Sequence, residues 1–148
     1  MFHIKIAQDK DLPEILEIEK ESYPKPWGTE AFEIEISKNK DGVNIFLVAK
    51  DSETSEVLGY IAADLITDFA HISNIAVKSK YRKSGIGTTL LKEMMHKAEK
   101  AGIHSLTLEV RESNKAALNL YQKAGFLAEG KRDKYYENTE AAILMWKR

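Results

Sequence analysis

The segment RKSGIGT, residues 82–88, combines residue types that suit the binding of an anion. Arg82 and Lys83 precede Gly85 and Gly87 at the start of a strongly helical run. Glycines let the main chain approach a ligand closely, and the first N–H groups of a helix attract negative charge. A phosphate or diphosphate fits this pattern, although a plain glycine turn with solvated charges fits it too. The Gly-Lys-Ser/Thr ending of a Walker loop is missing, so nucleoside triphosphate hydrolysis loses support.

Two further residues, Glu109 and Tyr121, are of types that accept or donate protons. Glu109 stands near the end of the predicted strand HSLTLEV. It is either a base that faces a substrate cleft or a solvated surface glutamate. Tyr121 lies on the predicted helix SNKAALNLYQKAGF, either as an acid or as a core tyrosine. The residue pattern by itself leaves these alternatives open.

Composition and charge argue against several other kinds of site. The 148 residues, 43% hydrophobic and 30% charged, suit a single folded domain over residues 1–148. A net charge of −1 does not favour a nucleic-acid partner. The chain has no cysteine, which excludes disulfides and cysteine nucleophiles, and its four histidines lack metal-ligand spacing. No metal is expected, and the absence of a signal peptide or long apolar run predicts a cytoplasmic protein without a membrane span.

Strands and helices in irregular alternation must position these residues. The predicted strands are residues 3–8, 44–50, 57–66, 71–77, 104–110, 129–136 and 141–147, and the predicted helices are 11–23, 30–38, 85–102 and 113–126. Ser113 is the expected N-cap of the last helix, and Gly102 and Gly125 are expected helix stops. We expect His71 at a sheet edge and residues 105, 107 and 109 on the outward face of their strand. The order of elements predicts the α+β class, built around one sheet.

Together these segments resemble the GNAT N-acetyltransferases. The strand end Ile75, Ala76 and Val77, followed by Arg-x-x-Gly-x-Gly at residues 82–87, is similar to the acyl-CoA-binding motif of that family. Residues 108–126, LEVRESNKAALNLYQKAGF, resemble the narrower RimI-type group, which acetylates protein N-termini. The resemblance extends over nearly the whole chain. It implies the GNAT fold, a single mixed, mostly antiparallel, splayed sheet flanked by helices.

The resemblance also implies a donor, acetyl-CoA, and roles for individual residues. The strand end would meet the pantetheine arm, the loop amides would bind the pyrophosphate, and Asn114 would contact the cofactor from the other side. Glu109 falls on the position of the family's general base and Tyr121 on that of its general acid. Without a cysteine, direct attack in a ternary complex is favoured. The implied cofactor-binding residues are Ile75, Ala76, Val77, Arg82, Lys83, Ser84, Gly85, Ile86, Gly87, Thr88 and Asn114.

The implied acceptor is a protein N-terminus, in RimI-type enzymes the N-terminal alanine of a small-subunit ribosomal protein. An α-amine has a pKa near 8 and a lysine near 10.4, so lysine costs about 3 kcal/mol more to deprotonate at neutral pH. Trp27, Tyr135 and Tyr136 are expected to line the acceptor groove, with a core anchor as the alternative for Trp27. Gly28 and Ala141 depart from the serine and the acidic residue usual in that group.

Other functions remain compatible with the same sequence. A GNAT enzyme acting on a small amine or on protein lysine is one alternative. A non-catalytic coenzyme A-binding module is another, although such a module has no need for an acid and a base. We expect a monomer or weak dimer that contacts neither nucleic acid nor membrane.

Overall fold

A computed structural model describes the backbone of residues 1–136 and 140–148, and the side chains of residues 1–132 and 140–148. Strands and helices alternate irregularly within these residues, which confirms the α+β class. The strands are β1 (Phe2–Ile6), β2 (Asn44–Asp51), β3 (Val57–Ile66), β4 (Phe69–Val77), β5 (Ser105–Arg111), β6 (Leu127–Tyr136) and β7 (Glu140–Lys147). The α-helices are α1 (Leu12–Ser22), α2 (Thr29–Lys40), α3 (Ile86–Lys100) and α4 (Lys115–Lys123). Two 3₁₀ turns, Asp9–Asp11 and Ser79–Tyr81, have no counterpart in the sequence prediction.

The described strands form one sheet in the order β1-β2-β3-β4-β5-β7-β6. Only the β4–β5 pair is parallel, and the other neighbours are antiparallel, as the resemblance implies. β4 is therefore a central strand. His71 pairs with Asp64 on β3 and Thr107 on β5, so its predicted place at a sheet edge is wrong. Periodicity along one strand carries no information about which strands lie beside it.

The sheet opens between β4 and β5 at their C-terminal ends. Their ladder stops at Ile72 and Leu108. Beyond that point, among the described strands, β4 pairs only with β3, and β5 only with β7. The register between β3 and β4 shifts by one residue at the same level, leaving Ser73 as an extra residue on β4. A bulge of this kind bends and twists a strand, so the opening begins where β4 turns away from β5.

Helices cover the two sheet faces with separate hydrophobic cores. α3 and α4 pack on one face, here called the α3/α4 face, and α1 and α2 pack on the other, the α1/α2 face. The apolar spacing of the third helix is confirmed, since every residue in its predicted stripe is buried. These residues are Ile86, Leu90, Leu91, Met94 and Ala98.

The N-cap of α4 is Asn114, not the predicted Ser113. Asn114 Oδ1 accepts a hydrogen bond from the N–H of Ala117 at 3.1 Å. The N–H of Ser113 instead donates to Glu140 Oε2 at 2.7 Å. Serine and asparagine are equally good N-caps, so a contact with a residue distant in sequence decides between them. The stop signals Gly102 and Gly125 are confirmed, with φ of +83° and +102° just after their helices.

The predicted alternation of buried and outward side chains along β5 holds for only one side of the strand. Leu106, Leu108 and Val110 are buried in the core of the α3/α4 face. The opposite side is not uniformly outward, because Thr107 is 4% exposed and its hydroxyl donates to the carbonyl of Met145 at 3.1 Å. The neighbouring strand β7 covers this position, which alternation alone does not reveal.

Candidate active site

The segment expected to bind an anion, residues 82–88 (called the anion-binding segment for this expectation), leads into α3 through two left-handed positions. Lys83 has φ of +65°, and Gly85, the N-cap of α3, has φ of +87°. Lys83, Ser84 and Gly85 are exposed. α3 then begins at Ile86 with first-turn N–H groups that lack intrahelical partners. The turn therefore offers exposed amides, a lysine and a helix N-terminus together, which fits a diphosphate.

The second glycine of this segment lies between β4 and α4. A Cβ on Gly87 would lie 3.5 Å from Leu120 Cδ2 and 3.7 Å from Val77 Cγ2, which are ordinary contact distances. The absence of a side chain at this position is therefore not required by packing within the chain. It leaves the first turn of α3 bare beside the end of β4, where the sheet opens.

The main chain of Ile75 and Val77 faces this opening. The N–H of Lys78 donates to the carbonyl of Leu58 on β3 at 2.8 Å. Alternation along an antiparallel ladder then directs the amide groups of Ala76 towards β3 and those of Ile75 and Val77 away from it. Because β5 has diverged, this edge of β4 has no ladder partner. A pantetheine arm, itself a chain of amides, has complementary groups here.

Two side chains already contact this free edge. The Tyr23 hydroxyl donates to the carbonyl of Ile75. Arg82 Nε donates to the carbonyl of Val77 at 3.1 Å, and its Nη2 donates to Ser22 Oγ at 3.2 Å. Arg82 thus ties the anion-binding segment to the strand and to the end of α1. Sequence reasoning did not identify Tyr23.

Glu109 lies one residue beyond the last β4–β5 pair, on the α1/α2 face. Its side chain is 16% exposed, which contradicts the solvated-surface alternative. Oε2 is fully enclosed and has no hydrogen-bond donor among residues 1–132 and 140–148. Arg132 Nε approaches it to 3.3 Å but without hydrogen-bond alignment, and we take this pair as a weak charge contact because Arg132 is 57% exposed. Glu109 is therefore a largely buried carboxylate with unused capacity to accept a hydrogen bond or a proton.

Tyr121 lies on α4 within the core of the α3/α4 face. It is 4% exposed, and its ring packs edge-on against Phe126 with 5.8 Å between centroids. The core-tyrosine interpretation is therefore correct for the ring. α4 borders the anion-binding segment through Leu120 beside Gly87. Asn114, at the exposed start of the same helix, uses its Oδ1 as the cap and retains its amide N–H groups for a ligand.

Trp27, expected at the acceptor groove, is a half-buried anchor of the α1/α2 core. Its ring packs against Phe32 with 5.2 Å between centroids. Its main-chain N–H donates to Glu19 Oε2 at 2.9 Å. Tyr135 and Tyr136, the other expected groove residues, have side chains outside the described residues.

Glu19 is at the centre of a polar cluster that sequence reasoning missed. It is 1% exposed, and besides Trp27 it accepts hydrogen bonds from the Tyr60 hydroxyl and, at 2.7 Å, from Asn74 Nδ2. Burial and the Glu19 carboxylate raise the pKa of Tyr60 well above its usual value. The available signal was its spacing, since Glu19 follows the buried Ile15 by four residues on the apolar face of α1.

Other kinds of site find no support in the described part of the chain. No group of three or more histidine, aspartate or glutamate side chains there is arranged to hold a metal ion. None of the helices described combines the length and hydrophobicity needed to cross a bilayer.

Comparisons with known proteins identify the family. Residues 12–126 match the acetyltransferase (GNAT) family. The chain is 34% identical to a putative [ribosomal protein bS18]-alanine N-acetyltransferase of Bacillus subtilis, over 93% of this chain and 89% of the relative. It is 32% identical to the [ribosomal protein bS18]-alanine N-acetyltransferase of Escherichia coli, over 96% and 94%. The crystal structure of the ribosomal-protein-S18-alanine N-acetyltransferase from Escherichia coli superposes with a TM-score of 0.86 at 30% identity, covering 99% of this chain and 93% of that one. The chain therefore belongs to the GNAT family of acyltransferases, which transfer the acetyl group of acetyl-CoA to an amine.

Proposed function

We propose that this enzyme acetylates the N-terminal amine of a protein, and that its acceptor is the N-terminal alanine of a small-subunit ribosomal protein. The observation that carries the proposal is Glu109, whose enclosed and donor-free oxygen lies where β4 and β5 separate. Two relatives named for bS18 alanine acetylation, 34% and 32% identical over most of the chain, support the acceptor. A ribosomal acceptor implies action in the cytoplasm, by a monomer or weak dimer that needs no direct contact with nucleic acid.

The donor side of the site is the opening together with residues 82–88. Acetyl-CoA supplies an activated thioester when bound. The diphosphate would bind the loop amides and the α3 N-terminus, and the pantetheine arm would follow the free edge of β4. The residues assigned to it are Ile75, Ala76, Val77, Arg82, Lys83, Ser84, Gly85, Ile86, Gly87, Thr88 and Asn114.

On the acceptor side, Glu109 acts as the general base. An α-ammonium group with a pKa near 8 must lose one proton before its nitrogen forms a bond to the acetyl carbon. The Glu109 carboxylate takes that proton, directly or through water. The carbon–sulfur bond then breaks. Of the two protons left on the attacking nitrogen, one stays in the product amide and the other passes to the departing sulfur, so coenzyme A leaves as a thiol. Holding both reactants together contributes several kcal/mol before any proton moves.

Tyr121 assists the leaving sulfur as the general acid. A phenol of pKa about 10 is a weaker acid than a thiol of pKa about 8.5, so full proton donation is uphill by about 2 kcal/mol. Tyr121 therefore acts by a hydrogen bond to the sulfur that strengthens as the bond breaks. Tyr135 and Tyr136 complete the proposal as the walls of the acceptor groove.

The proposal is tested with matched peptides and acetyl-CoA. One peptide has a free N-terminal alanine, a second has a blocked N-terminus and an internal lysine, and a polyamine represents small amines. Mass spectrometry locates the acetyl group, and Glu109→Gln is the inactive control. Acetylation of the alanine amine alone is expected. If only lysine or only the polyamine is modified, the acceptor assignment is wrong. If acetyl-CoA binds but no amine is acetylated, the assignment as an enzyme is wrong.

Exchanging only the first residue tests the preference for alanine. The peptide is made with alanine, glycine, serine or methionine at its N-terminus and is otherwise unchanged. The highest kcat/KM is expected for alanine. Equal values for all four peptides show a general N-terminal acetyltransferase and remove the assignment to one ribosomal protein.

A further inference from the structure

Asn74 lies on the α1/α2 face, where β4 and β5 separate. This side of the sheet, which also carries Glu109, is called the acceptor face below. Asn74 is two residues beyond the end of the β4–β5 ladder, and Glu109 is one residue beyond it on the other strand. Both side chains belong to the α1/α2 face, Asn74 through its contact with Glu19 and Glu109 by alternation with Leu108. Asn74 is 8% exposed. A polar side chain therefore stands opposite the base where the sheet separates.

Glu19 determines which end of the Asn74 amide faces the opening. The contact between Asn74 Nδ2 and Glu19 Oε1 measures 2.7 Å, and an ionised carboxylate only accepts hydrogen bonds. The amide nitrogen must therefore face Glu19, and Oδ1 must face away from it. Within the described residues Oδ1 receives no hydrogen bond, and it is not one of the enclosed donor-free atoms. It is an accessible acceptor without a partner.

We propose that Asn74 Oδ1 binds the amine of the acceptor and that Glu19 is the positioning residue that holds it in this orientation. The proposal rests on the proposed function and adds to it a second group that contacts the acceptor. An α-ammonium carries three N–H bonds. One proton goes to Glu109, and a second N–H donates to Asn74 Oδ1. Two acceptors on opposite sides of the opening direct the freed lone pair towards the acetyl carbon.

A carboxylate at position 19 is needed for orientation rather than for packing. Burial of a charge is costly, and in the described part of the chain no lysine or arginine pairs with Glu19. Its partners are three neutral donors, from Trp27, Tyr60 and Asn74. A carboxylate accepts from all three. A glutamine presents a donor to one of them and allows the Asn74 amide to turn over.

The test compares three variants by steady-state kinetics with an alanine peptide and by calorimetry with acetyl-CoA. Asn74→Ala should raise KM for the peptide about tenfold or more, because it removes a hydrogen bond to an amine, while Kd for acetyl-CoA stays within about twofold. Glu19→Gln should raise the same KM several-fold. Tyr60→Phe is the structural control, because it removes one donor of the same cluster while leaving Asn74 and Trp27 in place. It should lower the melting temperature without changing KM.

Several results would overturn the proposal. One is an unchanged peptide KM in Asn74→Ala. Another is a parallel rise in the Kd for acetyl-CoA, which would make Asn74 a cofactor residue. A KM rise in Tyr60→Phe equal to that in Glu19→Gln would reduce Glu19 to a structural role.

Failure of the proposed function is recognised separately. If the wild-type enzyme modifies only lysine, the acceptor assignment is wrong, and the same three variants measured with the lysine peptide still decide the role of Asn74. A rise in KM for that peptide supports Asn74 as the amine-binding group. No rise refutes it.

Discussion

Glu109 and Tyr121 lie on opposite faces of one sheet. Glu109 projects from β5 to the α1/α2 face, whereas Tyr121 is buried on the α3/α4 face beside Phe126. In acyl transfer from a thioester, the amine approaches the carbonyl carbon from one side while sulfur departs from another. The proposed base and the proposed acid, separated by the plane of the sheet, suit these two proton movements. The gap between β4 and β5 is the passage between them.

Glu109→Gln should lower kcat about 10²- to 10³-fold, because the amine then keeps its proton. Affinity for acetyl-CoA should not change, because the side chain is on the acceptor face. Kinetics and calorimetry together measure both. The control is Glu112→Gln, since Glu112 forms only a half-exposed pair with Lys131 at 2.9 Å. A loss in Glu112→Gln equal to that in Glu109→Gln would show a general charge effect.

Tyr121→Phe should slow turnover more than it weakens acetyl-CoA binding. The ring keeps its packing against Phe126, so the free energy of unfolding should stay within about 1 kcal/mol of wild type. Only the hydroxyl, which we propose assists the sulfur, is lost. Single-turnover rates and acetyl-CoA titrations test this, and an equal loss of rate and affinity would contradict the role as an acid.

Gly87→Ala and Gly85→Ala should affect stability differently. The methyl group at position 87 meets only ordinary contacts and adds helix propensity, so stability should be kept or raised by up to about 1 kcal/mol. Acetyl-CoA affinity should nevertheless fall, because the methyl covers the bare first turn of α3. At Gly85 the φ of +87° is strained for alanine. Gly85→Ala should therefore lower the free energy of unfolding by about 1 kcal/mol, in addition to weakening acetyl-CoA binding. Urea unfolding and calorimetry separate the two effects, and unchanged affinity in Gly87→Ala would argue against cofactor approach at this turn.

Two substitutions can separate the cap role of Asn114 from its proposed contact with the cofactor. Asn114→Ala removes the cap contact with Ala117 and should cost about 1 kcal/mol of stability. Asn114→Asp keeps the cap, because its carboxylate still accepts from the same N–H. It loses the amide donors and adds a negative charge next to an anionic ligand, so acetyl-CoA affinity should fall while stability holds. Wild-type affinity in Asn114→Asp would leave Asn114 as a cap alone.

The stability provided by the pair between Glu56 and Lys78 should depend on pH. Lys78 Nζ lies 2.6 Å from Glu56 Oε2, joining the end of β4 to the β2–β3 turn. The hydrogen bond from Lys78 holds the pKa of Glu56 below 4.5, and the bond to Glu56 holds the pKa of Lys78 above 10.5. The stability that Glu56 contributes is therefore fully present above pH 4.5. It is lost as the pH falls through the lowered pKa of Glu56. The stability that Lys78 contributes is present below pH 10.5 and is lost at higher pH.

Glu56→Gln should consequently destabilise the protein by about 0.5 kcal/mol at pH 7, and the difference from wild type should shrink below pH 4.5. Urea unfolding at pH 7 and at a pH below 4.5 measures this difference in the free energy of unfolding. Glu53→Gln, at an exposed position in the same turn, is the control and should match wild type. A destabilisation that is the same at both pH values would show that the ion pair contributes nothing.

Local pattern predicted the elements of this protein and the glycine turn of residues 82–88 before α3. The apolar stripe of α3 and the stops at Gly102 and Gly125 depend on residues within one or two helical turns of each other. The same holds for residues 82–88. Gly85 adopts a left-handed conformation there, which glycine accepts because it lacks a Cβ. These features can be predicted from sequence because they depend on single residues or on residues close together in the chain.

Tertiary structure alone decided the environment of each side chain. Glu140 takes the N–H of Ser113, so Asn114 becomes the cap. Glu109 Oε2 is enclosed in the folded chain, although alternation along its strand predicts an outward side chain. The Glu19 contact with Asn74 joins residues on α1 and β4. Burial and hydrogen-bond partners depend on which distant segments meet, and alternation along one strand or helix does not carry that information.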